Sequence, residues 1–308
     1  MLAISDLVAD ALDLSGTEIN DILDAAPLVS RLPFVESSNG TTHKYIRHTT
    51  APTVNFRAEN AGRALSKSGD TVETATLKLL DWSFVVDKGT ADTWRQGGPE
   101  ALIAREARRH LRAALAKLES QIINGSDNAG FVGFLTSTKL DALADAMVVN
   151  ATGTTANTAS SVYLVRVGED VGTAGVYKGD GSPLEIGESF DTMHKVDGAD
   201  EWFPAYATSA CAWLGVQLGG AYSVSRICNL TAQDGKGLTD DLISEAMSLH
   251  PTDQMPNLVV MNRRSLKQLQ QSRTTYNPTG APAPFPEEAF GVPIVVTDQI
   301  SSTEAIEV

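Results

Sequence analysis

Residues 99–125 read PEALIAREARRHLRAALAKLESQIING, the clearest element in the chain. Pro99 suits a first helical turn and Gly125 a C-terminal cap, so the spacing predicts one long helix over Pro99–Asn124. Ile103, Ala107, Leu111, Leu115, Leu118 and Ile122 recur at steps of three and four and make a single apolar stripe. Arg105, Arg108, Arg109 and Arg112 gather on the opposite side as one basic face. Such a run is usually a solvated face paired with nearby acids, and the alternative is contact with an acidic partner surface or with nucleic acid.

Upstream, residues 1–36 carry seven acids and one base, Arg31. Ile4, Leu7, Val8, Ala11 and Leu12 fall at helical spacing, and Thr17–Leu23 predicts a second short helix before Pro27. An acidic arm this thin owns no core and must bury its apolar face against the rest of the chain or another subunit. From Thr41 to Val86 the pattern is extended: KYIRHTT, PTVNFRA and TVETATLKLLDWSFVVD, with the polar stretch ENAGRALSKSGD (59–70) before the last. This predicts a long two-stranded hairpin tipped by Arg63 and Lys67. An isolated hairpin is marginal in water, so it folds back on its own domain or lies on a neighbour.

Downstream, LDALADAM (140–147) predicts a short helix, followed by the small-residue linker VNATGTTANTAS. Residues 160–230 alternate strand-like runs with Gly- and Asp-rich turns, the rhythm of an antiparallel β region. From Gly237 the order becomes helix (LTDDLISEAMSLHP, with Thr239 as cap), strand (PNLVVMN), helix (RRSLKQLQQSR), a Pro-rich loop and strand (GVPIVVTDQI). That is a compact α/β unit of about 60 residues, within reach of independent folding.

With 308 residues, 42% of them hydrophobic, the chain can build a sizeable core. The charge is 24 − 38 = −14, which excludes a protein that coats DNA or anionic membrane with its whole surface. The N-terminus has no basic leader segment and carries Asp6, Asp10 and Asp13, so synthesis in the cytoplasm without signal-peptide export is expected. The longest uncharged stretch, Trp202–Ser225, is interrupted by Pro204, Gly215, Gly219 and Gly220 and reads as buried strands, not a membrane span.

No catalytic constellation emerges. His43, His48, His110, His194 and His250 lie in different elements without metal-ligand spacing. Cys211 and Cys228 have neither CxxC spacing nor a nucleophile signature and read as buried free thiols. Gly235-Lys236-Gly237 and Gly168, Gly172 and Gly175 are turn glycines, not a phosphate loop. Asp240 and Asp241 fit a helix first turn better than a calcium loop. No catalytic residue, metal or cofactor is therefore expected.

The order of parts resembles the major capsid proteins of tailed bacteriophages, with their Hong Kong 97-type α+β shell fold. The stretches that carry the resemblance are VVDKGTADTW leading into ALIAREARRHLRAALAKLESQIINGSDNAGFVGF, then AWLGVQLGGAYSVSRICNL, NLVVMNRRSLKQLQQSR and FGVPIVVTDQI. The resemblance implies an N-terminal arm (1–39), an extended loop over a neighbouring subunit (40–88) and a peripheral domain (89–230) with its spine helix at 99–124. An axial domain (231–300) and a return to the peripheral domain (301–308) follow.

The function it implies is a structural, non-enzymatic subunit of the virion, self-assembling as hexamers and pentamers into an icosahedral head. The implied partners are scaffolding, portal and decoration proteins and double-stranded DNA held by weak contact, with no membrane. An encapsulin-type nanocompartment shell is the alternative, and an unrecognised α/β enzyme, which would show a pocket of convergent polar groups, is a third reading. Some relatives join subunits by a Lys–Asn isopeptide bond; Lys67 sits near the tip, but no matching Asn or Glu is found and no crosslink is expected. The basic face is expected to bridge to acids of the arm.

Overall fold

The computed structural model describes residues 2–4, 8, 16–126, 130–169, 172–179, 184–195, 198, 200–275 and 281–307. Its longest element is the helix Gly98–Asn124, 27 residues with Pro99 in its first turn, about 40 Å long at 1.5 Å per residue. The buried stripe is wider than expected: Leu102, Ala114 and Ile123 join Ala107, Leu111, Leu115, Leu118 and Ile122, while Ile103 is half-buried. Gly125 caps the helix with φ −58°, so no left-handed backbone demands a glycine there. Close approach does, since a Cβ on Gly125 would lie 2.2 Å from the Gln121 carbonyl oxygen and 2.6 Å from that of Phe131. The returning chain satisfies the last helical carbonyls: Phe134 N–H donates to Ile122 O at 2.8 Å and Leu135 N–H to Ile123 O at 2.9 Å.

The helix packs between two six-stranded sheets. One runs Leu2–Ala3, Pro33–Glu36, Thr173–Tyr177, Ala210–Leu218, with Lys78–Asp81 and Glu185–Ile186 also paired to Ala210–Leu218. The other runs Glu288–Ala289, Val292–Val296, Leu258–Met261, Ser160–Val165, Val224–Leu230, Val148–Asn150. Leu258–Met261 and Val292–Val296 pair in parallel through the crossover helix Arg263–Thr275, as a βαβ unit requires. This second sheet is covered on both faces. Tyr163, Val165, Val260 and Val295 meet the cluster that contains the long helix. Val162, Leu164, Ile227 and Met261 meet Ile243, Ala246 and Leu269 of the helices Asp240–Ser248 and Arg263–Thr275. Two-sided burial is why these strands read as continuous apolar runs.

Several expectations change. The α/β unit after Gly237 does not own its sheet, because Ser160–Val165 lies hydrogen-bonded between Leu258–Met261 and Val224–Leu230. The sheet therefore runs across the expected boundary at 230/231. The linker after Met147 begins as a strand, Val148–Asn150, parallel to Val224–Leu230. LDALADAM forms turns, not a helix. Asp145 accepts the Ala142 N–H at 3.1 Å, an aspartate competing for the backbone. The expected helix at residues 4–12 falls mostly outside the described residues; Ile4 and Val8 are fully buried in the main core. Thr239 caps its helix as expected, accepting the Leu242 N–H at 3.3 Å. Cys228 is buried, and burial pushes its thiol up to about 11; Cys211 is half-buried. Among the described residues, no helix is long and apolar enough to cross a membrane.

Candidate assembly surface

The projecting part of the molecule is the hairpin Thr42–Thr50 with Gly69–Thr76, in register from Thr42 opposite Thr76 to His48 opposite Asp70, with a bulge before Thr50 meets Gly69. Its strands differ from the expected pair. PTVNFRA is not a strand, and residues 51–68 form a loop beyond the hairpin. Lys78–Asp81 and Phe84–Asp87 leave the hairpin to join two other sheets, pairing with Ala210–Leu218 and Trp202–Thr208. Among the described residues no strand lies beside PTVNFRA, so its alternating pattern has nothing there to bury against.

Polar contacts hold the base of this hairpin. The His43 Nδ1 accepts the Ser38 N–H at 3.2 Å, leaving Nε2 to carry the proton and face Gln217 Oε1 at 3.0 Å. Glu73 receives Arg47 Nη1 at 2.6 Å, Lys139 Nζ at 2.9 Å and the Tyr45 hydroxyl at 3.0 Å. Burial alone would raise the Glu73 carboxyl; the Arg47 and Lys139 hydrogen bonds outweigh it and hold the carboxyl below its usual range. Burial and the adjacent Glu73 push the Tyr45 hydroxyl well up. With the folded value depressed, the stabilisation from Glu73 is present above the unfolded value of 4.5 and lost as pH falls through the folded one. The stability difference between wild type and Glu73→Gln, followed by thermal unfolding, should therefore shrink between about pH 6 and about pH 3.

The loop beyond the hairpin is exposed and partly apolar. Phe56 is 108% exposed and Leu65 91%, and Val54 is also open to solvent. Ile46 and Val72, opposite each other in the hairpin, are exposed as well. The expected tip residues Arg63 and Lys67 lie in this loop, both exposed.

The four arginines of the long helix do not act as one set. Arg112 Nη1 reaches Asp21 of the helix Gly16–Leu23 at 3.3 Å. Arg109 pairs with Glu106 one turn back at 2.7 Å, and Arg105 lies over the Trp94 ring at 5.3 Å. Arg108 Nε donates to the Ala104 carbonyl at 3.5 Å. Of these contacts only Arg112 to Asp21 bridges to the arm.

Two buried charges that were not singled out from sequence join distant segments. Glu119, fully buried on the long helix, accepts the Leu28 N–H at 2.8 Å and the Val29 N–H at 3.2 Å with Oε2, while Oε1 accepts the Thr297 hydroxyl. Burial pushes its carboxyl up, and the Thr297, Val29 and Leu28 bonds offset part of that. The sequence signal was available: an acid between Leu115 and Ile122 at stripe spacing. Arg226, 1% exposed in the strand VSRICNL, donates to Ser161 Oγ at 3.0 Å, Leu140 O at 2.8 Å and Glu307 Oε1 at 3.0 Å. It also faces Glu304 at 3.5 Å, so its two counter-charges come from the C-terminal tail. A lone arginine inside an apolar strand was the signal here.

A cleft of about 470 Å³ opens between the turn 232–239 and the helix Arg263–Thr275. Asp234 is the only carboxylate lining it, and it has no histidine or cysteine. Among the described residues no group of His, Cys, Asp and Glu is placed to hold a metal ion.

A long helix between two sheets and a projecting hairpin, with segments latched by buried charges, make a Hong Kong 97-type shell fold. The chain is similar to the bacteriophage Epsilon15 structure, with TM-score 0.65 and 18% identity over 90% of this chain and 88% of that one. It is also similar to the bacteriophage JBD30 capsid, with TM-score 0.52 and 12% identity over 95% and 97%. Likeness to the SrpI encapsulin of Synechococcus elongatus PCC 7942 is lower, TM-score 0.47 and 11% identity over 76% and 97%. The family model described as major capsid protein GP7 matches residues 15–308, and the chain belongs to that family. No curated protein matches it. It is thus a structural major capsid protein, a component of the virion.

Proposed function

We propose that this capsid protein builds the icosahedral head of a tailed double-stranded DNA phage from hexamers and pentamers, acting without catalysis. The observation that carries the reading is the loop 51–68, whose apolar side chains are exposed on a hairpin that its own chain leaves uncovered. Such a segment gains its stability from a neighbour, and complementary patches repeated around a ring close a shell. The family match favours the viral shell over a nanocompartment. Scaffolding and portal proteins are its expected partners in assembly, and decoration proteins would bind the finished shell. Net charge −14 keeps DNA contact weak; Arg105, Arg108, Arg109 and Arg112 are the basic face available to the genome or to a neighbour.

For the layout we retain an arm (1–39), an extended loop (40–88) and a C-terminal return (301–308). The peripheral and axial parts are divided differently: the axial part takes in 148–165 with 224–300, because those strands share one sheet. The test is electron microscopy of subunits expressed with and without the scaffolding protein of the same phage, beside a variant in which Asn-Gly replaces residues 51–68. The native chain should form closed shells. The variant should remain folded, with an unchanged circular-dichroism melt, and form none. Normal shells from the variant, or native subunits that stay monomeric with scaffold, would overturn the reading.

A further inference from the structure

An exposed, partly apolar loop and a small cleft lie at opposite ends of the same hairpin. The cleft's lining is Lys78, Leu79 and Leu80 of the strand after the hairpin, Lys117, Leu118 and Gln121 of the long helix, and Gly130, Phe131 and Leu214. Leu118, Phe131 and Leu214 are buried and form an apolar floor; Leu79 is 48% exposed at the rim, flanked by Lys78 and Lys117. At about 80 Å³ the cleft is far smaller than the roughly 300–1,000 Å³ of a small-molecule site, and suits one side chain.

The loop is organised to supply that side chain. Ser66 Oγ accepts the Thr53 N–H at 2.9 Å and donates to the Thr53 carbonyl at 2.8 Å, drawing the two sides of the loop together and placing Val54 and Leu65 beside this rung. Arg57 folds back to donate to the Ala61 carbonyl at 3.0 Å, and the Ala61 N–H donates to the Ala58 carbonyl at 3.2 Å. Glu59 and Asn60 are thereby set at the apex of a turn, with Phe56 at its base and fully exposed. An aromatic side chain entering an apolar pocket, with a carboxylate three residues on to meet lysines at the rim, is the arrangement of an interface anchor.

The hairpin strand Thr42–Thr50 has nine residues, about 30 Å at 3.4 Å each. The loop therefore stands about 30 Å from the cleft at its own root, and only a second copy can bring the two together. We propose that Phe56 inserts into the cleft floored by Leu118, Phe131 and Leu214 of the next copy, with Glu59 facing its Lys78 and Lys117. This rests on the reading of the loop as a neighbour-covering segment and names its receptor. A loop-to-root contact is head-to-tail, the kind that closes rings by rotation.

In a background carrying Cys211→Ala and Cys228→Ala, the single-cysteine variants Phe56→Cys and Leu79→Cys and the double variant would be assembled and treated with a short bismaleimide. The expected result is a ladder of covalent multimers in denaturing gels from the double variant alone. Phe56→Ala should raise the concentration needed for assembly about tenfold or more, the loss of one buried phenyl contact. Shells without a ladder, a crosslink confined within one chain, or native assembly by Phe56→Ala would each overturn the anchor. Failure of the anchor alone is distinguishable from failure of the loop reading, because the Asn-Gly variant lacking residues 51–68 would still form no shells.

Discussion

Replacing Arg226 by alanine is expected to destabilise the unassembled subunit by about 3–5 kcal/mol, the usual cost of removing one partner of a buried ion pair. Arg226 is nearly inaccessible, and its guanidinium is shared among Ser161, the Leu140 carbonyl, Glu307 and Glu304. Without it, the buried Glu304 carboxyl keeps its hydrogen bond from Ser161 at 2.5 Å but loses its nearest cation, which favours its protonation. Burial already pushes the Glu304 carboxyl up, with the Ser161 and Arg226 contacts offsetting part of the rise. The double change Arg226→Met with Glu304→Met should recover most of the loss, because an apolar pair of similar volume avoids desolvating charge. The measurement is the urea midpoint at constant slope. A single-variant loss under about 1 kcal/mol would mean that the tail's acids are not what holds the arginine in the core.

The second large effect is expected at Glu119. Alanine there strands the Leu28 and Val29 N–H groups and the Thr297 hydroxyl in the buried core. The cost is about 3 kcal/mol or more, with Glu119→Gln losing less because one acceptor oxygen remains. The pH dependence has a definite sign. The folded carboxyl lies above the unfolded value of 4.5, so the native state binds the proton more tightly. Wild type should gain stability relative to Glu119→Gln as pH falls from neutral toward that value. Unfolding curves at about pH 7 and about pH 5 would show it, and an unchanged difference would refute it. Because Glu119 ties the arm and the last strand to the long helix, proteolysis of the alanine variant should begin in the arm.

Both residues show where sequence reading stops. The stripe in residues 99–125 located the long helix, and the charge at 119 broke that stripe without revealing what it faced. Its partners are 91, 90 and 178 positions away, a separation invisible to any local window. Arg226 likewise waits for acids 78 and 81 residues downstream. PTVNFRA carries a strand's alternation, yet a strand needs a neighbour to pair with, and the described residues supply none. LDALADAM carries helical composition, yet Asp145 offers the Ala142 N–H a side-chain partner and the backbone takes turns instead.

Periodicity, capping residues and composition are local quantities. They were enough to locate the long helix, the Thr239-capped helix and the apolar strands of the second sheet; the shell fold was implied by the resemblance to tailed-phage capsid proteins, and the hairpin was expected with a different pair of strands. Tertiary structure alone decided which strands share a sheet across 230/231, which single arginine is buried against the C-terminal tail, and that the hairpin's loop stands clear of its own chain. The reason is that pairing and burial are set by contacts between segments far apart in sequence, where chain entropy and desolvation, not local propensity, choose the partner.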